Sequence, residues 1–271
     1  MANSRFSIAA VLLSYFLVAG GMALGILLLV QLGLTGEPAF YGSLALGGAI
    51  GGALAARASR GSTIIEPALG GLLVILTLVG VFVGTAAGEV LWHVAKDEIM
   101  RTVMIAGAAA AAGAILGAVV AEKLATGHAE GGLSWLLLVA VAMLGACFAS
   151  TVVLVGAAVR GTSDSDTLAA MFFIAMAIGA LLAGLVVGAS APRRILLINL
   201  LGVLLGVMGY YLMIVQLPGF GGKDDEQGKA ALGFAIIGFG CGLIAMLGAA
   251  IGWGAVGKRA AAAAGGARAF D

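Results

Sequence analysis

The chain has 271 residues, of which 62% are hydrophobic and 45 are glycine, while only 10% are charged and the net charge is +1. A soluble domain carries about 25% charged residues, so 14 basic and 13 acidic side chains cannot clothe a globule of this length in water. Two cysteines exclude a disulfide scaffold, the apolar content excludes disorder, and a mean hydropathy of +1.16 points to a protein embedded in lipid.

A bilayer core about 30 Å thick takes ~20 apolar residues per helix. Eight runs meet that need, approximately 6–32, 40–57, 64–87, 103–121, 133–159, 168–189, 195–216 and 231–257. Barrel strands would be ~10 residues of strict alternation, and these runs are too long and apolar all round, so helices are predicted. The first run follows Arg5 as a secretory signal would, but at ~27 residues it far exceeds a signal core of 7–15, and it is read as a retained helix with Tyr15 well inside it. The second begins near Pro38 and ends at Arg57. Before the third stands Ser62-Thr63-Ile64-Ile65-Glu66-Pro67. Thr63 as N-cap puts Glu66 at the third helical position, a capping box. Because Glu66 is the one acid within a run, a role with an ion, proton or substrate is the competing reading.

The segment Glu89 to Arg101 is predicted to be a short helix lying on the interface. One histidine, His93, with no cysteine nearby does not make a metal centre, and His128 falls in a loop on the other face. In the fifth run, Ser150 and Thr151 either line a polar cavity or bond their own helix carbonyls, and Cys147, like Cys241 in the eighth, is expected to be a buried, unreactive thiol. The loops 161–166 and 221–226 read as solvated turns without the 12-residue calcium pattern. In the seventh run Asn199 is the one amide inside a span, read first as interhelical glue and second as a solute ligand. Tyr41, Trp92, Tyr210 and Tyr211 are expected at one membrane interface, Trp135 and Trp253 at the other.

With the N-terminus in the cytoplasm, nine basic residues fall on that side (among them Arg57, Arg60, Lys123, Arg193 and Arg194) and five on the opposite side. This follows the positive-inside bias and places both termini in the cytoplasm.

Shifted by 131 residues, the two halves of the chain align: Gly48-Ala49 falls on Gly179-Ala180, Ala58-Ser59 on Ala189-Ser190, Gly71 on Gly202 and Leu116-Gly117-Ala118 on Leu247-Gly248-Ala249. A four-span unit crosses an even number of times, so the copies would be parallel repeats. The expected fold is an all-α polytopic membrane helix bundle of eight transmembrane helices in two four-helix units, 1–131 and 132–257, followed by a loose cytoplasmic tail at 258–271. One unit, by its Gly-Gly-x-x-Gly-Gly run from Gly47 to Gly52 and the Arg/Ser turn after it, resembles small glycine-rich four-span bacterial membrane proteins of uncharacterised role. That resemblance implies no particular activity.

Leucine burial drives little association in lipid, whereas small residues spaced by four let backbones approach. Gly48/Gly52, Gly184/Gly188, Gly202/Gly206 and Gly248/Gly252 are such pairs. They predict tight intramolecular packing, with the glycine-dense last helix as the face that would meet a partner membrane chain. No nucleophile elbow, zincin motif or phosphate loop is present, so no enzyme, cofactor, metal or nucleic-acid role is expected. The primary expectation is a non-catalytic scaffold or assembly subunit of the inner membrane. The alternative is a transporter or permease for a small amphipathic or lipid-like solute between the two units, using Glu66, Asn199, Tyr15, Ser150 and Thr151.

Overall fold

The apolar runs form eight α-helices in the computed structural model, which describes residues 8–34, 36–58, 65–84, 86–124, 132–159, 164–190, 196–215 and 224–254. In chain order they are α1 (Ile8–Gln31), α2 (Glu37–Ala58), α3 (Ile65–Val83), α4 (Ala86–Leu124), α5 (Gly132–Val159), α6 (Ser165–Ser190), α7 (Leu196–Val215) and α8 (Asp224–Gly252). Among the described residues all regular structure is helical. Seven helices are long and apolar enough to cross a membrane, and α3 is shorter, its apolar stretch running Ile65–Val81. Large aliphatic side chains such as Leu116, Ile174, Leu197 and Ile236 point outward on the bundle surface, as lipid-facing positions do. The tail 258–271 lies outside the described residues.

The helix ends follow local chemistry. Gly33 (φ 62) stops α1: its N–H bonds the Val30 carbonyl at 3.1 Å and the Leu34 N–H reaches back to Leu29 at 3.1 Å, a Schellman cap that needs a residue at positive φ. Asp164 caps α6, its Oδ2 accepting the Thr167 N–H at 3.1 Å and the Thr167 hydroxyl.

Two boundaries differ from expectation. α4 breaks at Ala95 (φ −130, ψ 34), so only its first turns lie before the break, and Lys96 to Arg101 begin the long helix that continues to Leu124. The four charges in that stretch had suggested an interfacial helix, but they sit at the end of the span, where charge is tolerated. α8 likewise begins at Asp224, with acids in its first turn, which suits the positive end of the helix dipole.

Helix pairing is the same in the first four and the last four helices. α1 packs on α2 and α3, and α4 on α2 and α3; α5 packs on α6 and α7, and α8 on α6 and α7. The α2/α4 seam is built without side chains: a Cβ on Gly52 would collide with the Ala114 carbonyl, and one on Gly117 with that of Ala49. On α6/α8 the same reciprocal contact joins Gly184 to Ala245 and Gly248 to Leu181. Gly48 with Ala110 adds a layer to the first seam, as Gly188 with Ala249 and Gly252 with Leu185 do to the second. The numbers rise together along each pair, so both pairs run parallel.

These contacts set the correspondence between the two halves. Gly52 answers to Gly184, and Gly70, against Ser14 of α1, answers to Gly202, against Val139 of α5; both lie 132 residues apart. Gly107 answers to Gly238, 131 apart, and Gly20 to Gly145, 125 apart. The 131-residue shift of the sequence comparison therefore holds for α4 and α8 only. On the third helix it pairs Gly71 with Gly202, and that one-residue slip rotates the matched face by about 100°.

The halves meet chiefly through α1 and α5. A Cβ on Gly20 would strike the Val141 carbonyl and one on Gly145 the Phe16 carbonyl, a reciprocal contact of the kind a twofold axis generates. Around it lies the main core, with Leu17, Leu138, Met143 and Met176 fully buried. Trp135 belongs to that core instead of an interfacial belt.

Candidate functional site

The five polar residues singled out from sequence do not converge. Glu66 is buried in the first turn of α3, and Thr63, its expected capping partner, lies outside the described residues. Asn199 is fully buried near the start of α7. Tyr15 donates to the Thr77 hydroxyl at 3.4 Å, and Thr77 in turn bonds the Leu73 carbonyl at 2.9 Å. Thr77 stands eleven residues, or ~16 Å of helix, beyond Glu66. Ser150 and Thr151 each bond a carbonyl one turn back, Ala146 at 2.7 Å and Cys147 at 2.9 Å. Thr151 also meets the Tyr210 hydroxyl, on the α7 side of α5, whereas Tyr15 approaches α5 from the α3 side through Ala149 and Val152. The side chains of Glu89, Trp92 and His93 lie outside the described residues, and among the described residues no three His, Cys, Asp or Glu gather as metal ligands. The two cysteines are buried and free.

What opens in the bundle is an apolar cleft of about 500 Å³ within the first four helices, at the end away from Ile8. Its size lies in the range of small-molecule sites. Met22 and Ile26 of α1, Phe40 and Leu44 of α2, and Ile75, Leu78 and Val79 of α3 form three walls. The fourth is one stripe of α4, Glu98, Ile99, Thr102, Val103 and Ala106, with the three-and-four spacing of a single helix face. Phe148 reaches across from α5 to close the inner wall. From Glu98 to Ala106 the cleft descends ~12 Å. Glu98 is its one charged lining residue and Thr102 its one hydroxyl; both are exposed. An apolar trough with polar groups only at its mouth suits a molecule with a hydrocarbon body and a polar end.

The corresponding volume of α5–α8 is occupied. By the glycine correspondence Leu78 becomes Tyr210, Val79 becomes Tyr211, Val103 becomes Phe234 and Phe40 becomes Phe172. Tyr210 and Tyr211 are buried, and their rings lie 6.3 and 5.2 Å from that of Phe234, with Phe172 6.3 Å from Tyr210. Their hydroxyls reach Thr151, at the position of Ile26, and the Gln227 carbonyl at 2.7 Å. These tyrosines are therefore core residues instead of interfacial anchors. Glu98 corresponds to Lys229 and Thr102 to Gly233.

All eight packing glycines named from sequence face another helix: Gly202 meets Val139 and Gly206 meets Ala140 and Met143, in addition to the two seams. On α8, Gly248 and Gly252 face α6, whereas Gly233, Gly240 and Gly254 have nothing within 4 Å of a Cβ.

Compared with known proteins, the chain matches no family model, no curated protein and no solved structure. Helix length and apolarity alone identify it as a polytopic membrane protein.

Proposed function

We infer that the chain is a non-catalytic carrier of the inner (plasma) membrane that crosses it eight times, with both termini in the cytoplasm, and binds a small amphipathic, lipid-like solute in the α1–α4 cleft. The observation that carries this reading is the cleft itself, apolar along its length with a carboxylate and a hydroxyl at its mouth. It lies inside the first unit, not between the units as the sequence had suggested. Support for eight crossings comes from α3: at 19 residues it is ~28 Å long, and it runs beside α1 from Gly70 at Ser14 to Thr77 at Tyr15. The recurring pairings and matched glycine contacts support two parallel units. On the positive-inside assignment the cleft opens in the outer leaflet.

The test is gentle extraction followed by native mass spectrometry. A co-purifying amphiphile is expected, and it should disappear when Leu78→Tyr and Val103→Phe fill the cleft. Ligand retained at wild-type level by the filled variant sinks the reading.

An assembly role is a second reading, favoured by Gly240, which is exposed on α8 beside Ile236, Phe239 and Leu243 and has open space around it. There Gly240→Leu should shed a partner chain while leaving the protein folded. Gly248→Leu cannot serve as that test, because it strikes α6.

A further inference from the structure

Resting on that cleft reading, we propose that the bound amphiphile carries a cationic head, an amine or quaternary ammonium, with Glu98 as its counter-charge and Thr102 as a hydrogen-bonding partner one turn deeper. Three observations converge. First, Glu98 is the single charge that lines the cleft, and among the described residues it forms no ion pair or hydrogen bond. Its neighbours Lys96, Asp97 and Arg101 do not line the cleft; Asp97 and Arg101 fall 100° back and 60° off from Glu98 around α4, away from the stripe. Glu37, in the first turn of α2 and three residues before Phe40, adds negative charge at the same end of the bundle. Second, the carboxylate, the hydroxyl and the open volume occur together. Where the matching volume is filled by Tyr210, Tyr211 and Phe234, the matching positions are Lys229 and Gly233, so charge sign and hydroxyl change with the space. Third, a methylene takes about the share of a water, ~30 Å³, so 500 Å³ holds roughly sixteen such groups. That is one chain of ordinary length, which fits a single-chain amphiphile or one chain of a larger lipid.

An exposed ion pair contributes up to ~1 kcal/mol, about fivefold in affinity. The experiment uses the purified full-length protein and two photoreactive probes with the same diazirine-bearing hexadecyl chain, one a primary amine and the other its neutral N-acetyl derivative. Cross-links are mapped by mass spectrometry. The amine is expected to label the 75–106 segment at about fivefold lower concentration than the amide. Glu98→Gln should abolish that difference and Glu98→Asp should restore most of it, while the amide's own labelling stays unchanged in both. Equal labelling by the two probes in the wild type, or a difference that survives Glu98→Gln, overturns the cationic-head assignment and leaves the cleft standing. Labelling by either probe that ignores Leu78→Tyr with Val103→Phe overturns the cleft itself.

Discussion

The same four-helix pairing is hollow at one end of α1–α4 and solid at the matching end of α5–α8. The backbone frame is alike in the two places: reciprocal glycine-to-carbonyl seams hold α2 to α4 and α6 to α8. What differs is a handful of side chains hung on that frame. Leu78, Val79 and Val103 leave room where Tyr210, Tyr211 and Phe234 take it up. In lipid this division of labour is physically reasonable, since backbone proximity supplies cohesion and side-chain volume is left free to decide whether a given place is a site or a plug.

The comparison can be broken most severely at the frame. Gly52→Leu and Gly184→Leu should each abolish a folded, monodisperse protein in size-exclusion chromatography, because the new Cβ meets a backbone carbonyl that cannot swing aside. If either variant is as stable as wild type, the seams do not hold the halves. Next comes the plug. Phe234→Val with Tyr210→Leu removes large buried groups and should cost about 3–5 kcal/mol or its equivalent in thermal stability, while opening a second place that takes up the hexadecyl probes. A smaller effect is expected for Tyr210→Phe, about 1 kcal/mol from the lost bond to Thr151, read as a modest fall in the melting temperature. Smallest is Asp164→Ala at the start of α6. Hydrogen bonds from Thr167 hold the Asp164 carboxyl below its ordinary value, so its contribution is present above that ordinary value and fades as pH falls through the lowered one. A small deficit in melting temperature at neutral pH should therefore vanish in strong acid, and a deficit that persists there contradicts the cap.

Much of the frame was legible in the chain. Uncharged runs predicted the helices, and glycines spaced by four predicted where backbones touch, because both depend on short-range pattern. The break at Ala95 carries no glycine or proline, so nothing local marked it, and the charges from Lys96 to Arg101 hid the first turns of the long helix. The cleft was illegible for a different reason: it consists of missing volume. Leu78 and Val103 are unremarkable in an apolar span, and only their comparison with Tyr210 and Phe234 shows what they lack. The 131-residue shift already set Val103 against Phe234, but it matched Leu78 with Gly209, so the contrast on α3 was lost to a single residue of register. Tyr210 and Tyr211 misled because two tyrosines near a helix end look like headgroup anchors, and burial is not written in their spacing. Glu98 was visible as a charge but not as the only one turned inward.

The contact of Gly20 and Gly145 has a mechanical corollary. Two helices that touch through bare main chain have no interlocking knobs to resist swivelling, yet they cannot be pressed closer. Such a joint is a fulcrum: torque applied by a guest lodged under Phe148 would be delivered to the stoppered half as rotation about one point, with leverage set by the distance from that crossing to the mouth.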